Sequence, residues 1–86
     1  MKNKLHIQQL TLLKGDWIAI TFTGPNEPYA QLCKDLGKEK HFSAYWHPGL
    51  GWVISSALMS KYADRFDNYQ QKLTEAQDAI IKPYES

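Results

Sequence analysis

Two tryptophans, Trp46 and Trp52, stand on either side of a Pro-Gly-Leu-Gly sequence in the segment YWHPGLGWVI. Residues that flank a tight turn lie opposite each other on the two strands of a β-hairpin. The two indole rings then have alternative uses. They pack as a cross-strand pair in a small core, which adds about 0.5–1.5 kcal/mol beyond burial, or they form a platform on which nucleic-acid bases stack. A short chain needs large core side chains, so the core interpretation is favoured for both.

A second set of residues has the chemistry of nucleic-acid binding, with cations for phosphate oxygens and exposed rings for bases. Trp17 and Tyr45 lie opposite the more apolar face of their predicted strands, so we expect both rings to be exposed. Acidic residues are interspersed with the basic ones, and a solvated surface is the competing interpretation. The predicted nucleic-acid contacts are Trp17, Lys34, Lys38, Lys40, Tyr45, Lys61 and Arg65.

Residue types that serve catalysis or metal binding occur without the spacing that these sites need. The histidines at 6, 41 and 47 show no H-x-H or H-x-x-x-H spacing, and a single cysteine rules out C-x-x-C. Cys33 falls on the apolar face of a predicted helix, which is typical of a small buried side chain. No G-x-S-x-G motif or phosphate-binding glycine loop is present. The sequence therefore predicts no catalytic residues, no metal and no cofactor.

Composition narrows the class of protein. The 86 residues are enough for one domain, 1–86, with a small core. Ten basic and nine acidic residues give a formal net charge of +1, which argues against a protein that works mainly by neutralising phosphates. One cysteine excludes an internal disulfide and favours a reducing cytoplasm. No segment approaches the length of a membrane span, so no membrane partner is expected.

The hydrophobic pattern predicts an α+β domain of order ββαββα. LHIQQLTLL (5–13) predicts a strand with a β-bulge near Gln8–Gln9, and WIAITFTG (17–24) predicts its hairpin partner. A short apolar helix face then follows around Leu32 and Leu36, and Gly37 is placed to end that helix in a left-handed conformation. HFSAYWH (41–47) and WVIS predict a second hairpin. We expect a mostly antiparallel sheet with two helices on one face.

From Ser56 or Ser60 onwards the pattern becomes that of a long C-terminal helix. Apolar residues from Met59 to Ile80 alternate spacings of three and four, a 3.5-residue repeat over three heptads. The second half of such a helix would extend past a domain this small. A second copy, a partner protein or the protein's own N-terminal hairpin would cover its apolar stripe. The predicted partner-binding residues are Leu73, Ala76, Ile80 and Ile81.

The segments ITFTG, PYAQLCKDLG, YWHPGLGWVIS and KYADRF together suggest a family. They resemble small accessory modules of DNA-processing, phage and plasmid proteins, such as the HARP domain of annealing helicases and modules with the pattern PYxxKxxAKxLGAxWD…W. The resemblance spans about residues 18–66. It departs from the pattern in an insertion, KEKHFSAY, and in His47, which replaces an acidic residue after the first tryptophan. The residues on which the resemblance rests are Pro28, Tyr29, Leu36, Gly37, Trp46, Gly51 and Trp52.

Two functions from different classes follow. The resemblance implies a non-enzymatic accessory module that binds single-stranded or branched DNA, weakly and in a salt-sensitive way, through the aromatic hairpin and nearby lysines. The alternative is a protein-interaction factor of phage or plasmid type. Such a factor would be an adaptor or inhibitor that binds a larger host protein, or forms a homodimer, through the C-terminal helix. The resemblance favours the DNA-binding function over the protein-interaction function, whereas the near-zero net charge argues against DNA binding.

Overall fold

A four-stranded antiparallel sheet carries the helices of this α+β fold. A computed structural model describes residues 4–39 and 43–85, with side chains as far as residue 79. The order of elements confirms the predicted ββαββα arrangement. The strands are β1 (His6–Leu12), β2 (Trp17–Thr23), β3 (Ala44–His47) and β4 (Gly51–Ser55), and the helices are α1 (Asn26–Lys38), α2 (Ser56–Tyr62) and α3 (Tyr69–Glu85).

The strands lie in the order β1-β2-β4-β3, and every neighbouring pair is antiparallel. The two hairpins are therefore joined side by side through β2 and β4, which leaves β1 and β3 as the edge strands. The register of β1 against β2 shifts between Ile7 and Gln9. This irregularity confirms the β-bulge predicted at Gln8–Gln9.

The main core lies between the sheet and the helices. Ile18, Ile20 and Phe22 of β2 are almost fully buried in it, as the alternation of that strand predicts. Ala19 and Val53 are also buried, at 2% and 1% exposure, but they stand outside the main cluster. They belong to the opposite face of the sheet, which we call the open face. The helices add Leu32, Leu36, Leu58, Met59 and Tyr62 to the main core.

Helix α1 does not end where the sequence predicts. It runs through Gly37 to Lys38, and Gly37 has no positive φ, so the predicted left-handed ending is wrong. Glu39 closes the helix in the right-handed region, where its backbone N–H donates to the carbonyl of Leu36 at 3.0 Å.

The long C-terminal helix is interrupted. Helix α2 ends at Tyr62, a 3-10 turn occupies Ala63–Arg65, and the backbone is extended at Phe66 before α3 begins at Tyr69. The prediction of one continuous heptad helix is therefore wrong. Phe66 fits the 3.5-residue repeat, but it pairs with Leu5 in a parallel β-bridge and is only 4% exposed. Its burial against the sheet outweighs the helical pattern.

The segment around Phe66 also closes the outer edge of β1. The N–H of Leu5 donates to the carbonyl of Arg65 at 2.8 Å, and the N–H of Asp67 donates to the carbonyl of Leu5 at 2.9 Å. The N–H of Ile7 donates to Asn68 Oδ1 at 2.9 Å, and Asn68 Nδ2 donates to the carbonyl of Ile7 at 3.0 Å. The Asn68 side chain thus replaces a neighbouring strand, and α3 packs along β1 beyond it.

Replacing this side chain tests its role. Asn68→Ala is expected to lower the free energy of unfolding by about 1–3 kcal/mol, because it leaves two part-buried backbone groups of Ile7 without partners. Asn68→Asp keeps the acceptor and loses the donor, so an intermediate loss is expected. Urea unfolding followed by circular dichroism measures both. Gln71→Ala, which removes an exposed hydrogen bond to Glu75 within α3, is the control and should stay within about 0.5 kcal/mol of wild type. If Asn68→Ala lowered the free energy of unfolding no more than Gln71→Ala does, this role of Asn68 would be contradicted.

Candidate binding surface

The β3–β4 hairpin is held in place by its turn. The N–H of Leu50 donates to the carbonyl of His47 at 3.1 Å, and the N–H of Gly49 donates to the His47 Nδ1 at 3.1 Å. Gly51 then adopts a φ of +98°, a conformation that glycine tolerates and other residues rarely adopt. The turn fixes the register in which Trp46 faces Trp52.

Trp46 and Trp52 are cross-strand neighbours, as predicted from the turn between them. Their ring centroids lie 5.9 Å apart in an edge-to-face arrangement. Trp52 is partly buried and packs against the main core, which agrees with the core interpretation. Trp46 is 58% exposed, so the core interpretation is wrong for that ring. One indole therefore supports the other at the surface.

A second aromatic pair lies on the open face of the sheet. The rings of Trp17 and Tyr45 meet edge to face with centroids 6.1 Å apart. Val53, the cross-strand neighbour of Tyr45, is buried in the same patch, and Leu13 and Lys14 complete its rim. Tyr45 is 44% exposed, as expected, whereas Trp17 is partly buried.

Exposed apolar side chains concentrate on the hairpin. Among the described residues, four large apolar side chains are more than a third exposed, and three of them are Tyr45, Trp46 and Leu50. We call these three residues the hairpin surface. The fourth, Tyr29, lies on α1, where its ring packs against Phe22 at 5.1 Å. Trp and Tyr are the residue types that most often dominate the energetics of protein interfaces.

The hairpin surface lies on an open strand edge. In the part of the chain that the structure describes, β3 pairs with β4 on one side and with no strand on the other. The N–H of Ser55 donates to the carbonyl of Ser43, so the alternation of an antiparallel ladder directs the backbone groups of Ala44 and Trp46 outward. The N–H of Ala44 donates to the carbonyl of Glu39 at 3.1 Å. The N–H and C=O of Trp46 and the C=O of Ala44 face the open edge.

Two of the predicted phosphate contacts are held in ion pairs between α1 and the region of α2. Arg65 Nη1 donates to Asp35 Oδ2 at 2.6 Å, and its guanidinium lies 5.0 Å from the centre of the Tyr62 ring. The same hydrogen bond lowers the pKa of the Asp35 carboxyl. Lys61 Nζ lies 3.8 Å from Glu39 Oε2. These pairs compensate much of the charge that a phosphate would need.

The remaining predicted nucleic-acid contacts do not form one site. Lys34 and Lys38 are exposed on α1, the helix that covers the main-core face. Trp17 and Tyr45 lie on the open face, on the other side of the sheet. Lys40 lies outside the described residues. The structure therefore separates the predicted stacking rings from Lys34 and Lys38.

Two of the four predicted partner-binding residues of the C-terminal helix contact the protein's own core. Leu73 and Ala76 are partly buried and pack against the main core, as does Tyr69 at the start of α3. Of the three covers that the sequence left open, folding back onto the N-terminal hairpin is the one observed for this part of the helix. The side chains of Ile80 and Ile81 lie outside the described residues.

Reactive groups are not assembled into a centre in the described parts of the chain. Burial raises the pKa of the Cys33 thiol, an effect that a hydrogen bond with Trp52 opposes only in part. No three His, Cys, Asp or Glu side chains of residues 4–39 and 43–79 come together as metal ligands, and His41 lies outside these ranges. A cleft of about 500 Å³ between the β1–β2 turn, α2 and α3 includes Leu12, Ser60, Tyr69 and Leu73 in its walls. Burial raises the pKa of the Tyr69 hydroxyl there.

Comparison of the chain with protein-family models, curated proteins and solved structures finds no match. The resemblance to HARP-like accessory modules therefore stays a prediction from the residues alone. Within the described residues, no helix is both long enough and apolar enough to cross a membrane.

The sequence interpretation favoured the core for Trp46, and it did not single out Leu50 or the contribution of Lys14 to the open-face patch. An apolar residue inside a turn, as Leu50 is, could have indicated a contact surface, because turns are usually exposed. The exposure of Trp46 had no such signal, since alternation places it on the same face as buried Ala44. Only the position of α1 above the sheet decides which of these two side chains is covered.

Proposed function

We propose that this protein is a non-enzymatic binding module that holds another protein through the hairpin surface. One observation carries the proposal. Tyr45 and Trp46 are consecutive residues of an edge strand, and both rings are substantially exposed on opposite faces of the sheet. Each ring is supported from within the protein, by Trp17 and Trp52 respectively. Rigid, supported aromatic side chains are effective anchors for a partner because little side-chain freedom remains to be lost on binding.

The arrangement favours a polypeptide over a nucleic-acid strand. Bases that stack on Trp46 lie on one side of the sheet, and bases that stack on Tyr45 lie on the other, so one strand would have to pass around the edge. A polypeptide at that edge reaches both faces at once because its own side chains alternate. The ion pairs of Lys61 and Arg65 further weaken the case for phosphate contacts. We therefore propose the hairpin rather than α3 as the contact surface of an adaptor.

DNA binding is a second candidate, supported by one feature of the open face. Lys14 lies beside the Trp17–Tyr45 pair and, within the described residues, forms no salt bridge. A base stacked on Tyr45 and a phosphate near Lys14 would use both groups. This version places single-stranded DNA on the open face and leaves Lys34, Lys38, Lys61 and Arg65 out of the contact.

Site-specific crosslinking tests the proposed protein-binding function. A photoreactive benzophenone side chain replaces Leu50 in one variant and Glu27, which is also exposed, in the control. Crosslinking is carried out in cells that naturally produce the protein. We expect a discrete protein adduct from position 50 that disappears when Trp46→Ala is added, and no such adduct from position 27. Adducts of equal yield from both positions, or none from position 50, would count against the function.

The DNA candidate is tested with intrinsic tryptophan fluorescence. Single-stranded, duplex and forked oligonucleotides are titrated at about 50 and 200 mM salt, a range over which phosphate contacts weaken strongly. Quenching that falls with salt and is reduced by Lys14→Glu, but not by Lys34→Glu, supports the open-face site. An unchanged spectrum at protein concentrations up to about 100 μM, where even non-specific binding is detectable, excludes it.

A further inference from the structure

We propose that the partner segment binds as an added β-strand along the outer edge of β3, and that it is an extended peptide with alternating apolar side chains and an acidic residue that meets Lys14. The inference rests on the proposed function and specifies its ligand. It concerns a contact made by backbone as well as by side chains.

The two edges of the sheet differ in the way that strand addition requires. The outer edge of β1 is closed by backbone hydrogen bonds to Leu5 and by the Asn68 side chain, and α3 packs beyond them. At β3, three outward groups have no hydrogen-bond partner within residues 4–39 and 43–85, the N–H and C=O of Trp46 and the C=O of Ala44. Unpaired strand-edge groups of this kind bind an incoming strand through main-chain hydrogen bonds.

The sequence of β3 lacks the features that usually protect an edge. Ala44, Tyr45, Trp46 and His47 include no lysine, no acidic residue and no proline. Exposed edges in monomeric proteins are commonly blocked by such residues. An apolar edge strand that itself carries two supported aromatic rings is therefore suited to pairing rather than protected from it.

The side-chain surfaces on the two faces define the chemistry of the added strand. On the open face, the patch of Leu13, Trp17, Tyr45 and Val53 accepts an apolar side chain, and Lys14 at its rim offers an ammonium group to a carboxylate. On the other face, Trp46 presents its ring against Trp52. Residues of the partner that alternate between the faces would meet each surface in turn.

A second copy of the chain fits this edge less well. The exposed parts of Tyr45, Trp46 and Leu50 amount to roughly 300 Å² per chain if each side chain exposes its fraction of about 150–250 Å². Two copies that paired through these residues alone would bury about 600 Å², about half of the 1,200 Å² or so typical of a stable complex. A short peptide strand, which binds transiently, does not need an interface of that size.

Peptide selection provides the test. Random eight-residue peptides displayed on phage are selected on the immobilised full-length protein, and a selected peptide is synthesised. We expect alternating apolar residues with enriched Asp or Glu, and we expect the amide signals of β3 to shift in NMR spectra when the peptide is added. Failure to select any peptide, or selection without acidic residues, would overturn the proposed ligand.

A matched pair of variants separates the backbone contact from the ring. Trp46→Ala removes the indole and keeps the outward N–H, whereas Trp46→Pro removes both; proline is tolerated at a strand edge where the N–H faces away from the sheet. We expect Trp46→Ala to weaken the peptide by about 30-fold or more, as for an interface hot spot. Trp46→Pro should weaken it by a further three- to tenfold, the contribution of a backbone hydrogen bond.

Further variants complete the test. Lys14→Glu should weaken the peptide by about three- to tenfold, which corresponds to the loss of one charge pair plus repulsion. Lys34→Glu and Tyr29→Ala should leave its affinity unchanged, and circular dichroism checks that each variant is folded.

Equal affinities for Trp46→Ala and Trp46→Pro would refute strand addition while leaving the proposed function intact. If Trp46→Ala left the affinity for the peptide unchanged, both strand addition and the proposed function would be contradicted. Concentration-dependent dimerisation in sedimentation, lost in Trp46→Pro, would assign the edge to a second copy instead.

Discussion

Gly51→Ala is expected to lower the free energy of unfolding by about 2–5 kcal/mol, one of the two largest effects we anticipate from single substitutions. A non-glycine residue in a left-handed conformation costs about 1–2 kcal/mol, and Gly51 has a φ of +98°. A Cβ at this position would also collide with the carbonyl oxygen of Ile20 and lie 2.7 Å from Thr21 Cγ2. Overpacking of this kind adds about 1–3 kcal/mol. The hairpin would have to move away from β2, so urea unfolding should show the loss directly.

Two other glycines serve as controls for this prediction. Gly15 has a φ of +70°, but its added Cβ would meet nothing closer than Trp17 Cδ1 at 3.6 Å, so Gly15→Ala should lose only the conformational part, about 1–2 kcal/mol. Gly37 lies inside α1 with open space around it, and Gly37→Ala should raise stability by about 0.5–1 kcal/mol. If Gly51→Ala lost no more than Gly15→Ala, the close approach of the hairpin to Ile20 would be refuted.

Phe66→Ala should lower the free energy of unfolding by about 3–5 kcal/mol, the usual range for a buried phenylalanine. Phe66 is 4% exposed, and its ring meets that of Phe22 at 5.5 Å. It also holds the extended segment from which Arg65, Asp67 and Asn68 reach the outer edge of β1. Its loss therefore leaves a cavity in the main core and loosens that edge.

Tyr29→Ala is the matched control, because Tyr29 contacts the same Phe22 ring at 5.1 Å from an exposed position. We expect it to lose about 1 kcal/mol, the order of one aromatic pair. Both variants are compared by urea unfolding under the same conditions. Equal losses would mean that Phe66 contributes no more than a surface contact does.

The β-strands were predictable because they depend on local signals. The alternation of β2 identifies its buried face, and the Pro-Gly-Leu-Gly turn brings Trp46 opposite Trp52 without reference to any other element. The paired glutamines at 8 and 9 interrupt the alternation of β1 at the position where the register shifts. In each case the physical cause lies within a few residues of its effect.

The break between α2 and α3 was not predictable in the same way. Phe66 satisfies a helical repeat, and only its partners Leu5 and Phe22, which are distant in the chain, make the extended conformation more stable. The candidate surface shares this property. Whether Trp46 is exposed depends on where α1 crosses the sheet, and whether Arg65 is available depends on Asp35 of that helix.

The closure of β1 has a consequence for how the chain acquires its structure during synthesis. The contact between Ile7 and Asn68 joins residues 61 positions apart, and contacts of such separation form late because a long loop must first be closed. A nascent chain that has not yet released the segment after α2 therefore lacks the partners that close the outer edge of β1. We expect that edge to be open to mispairing with other chains until this segment is available.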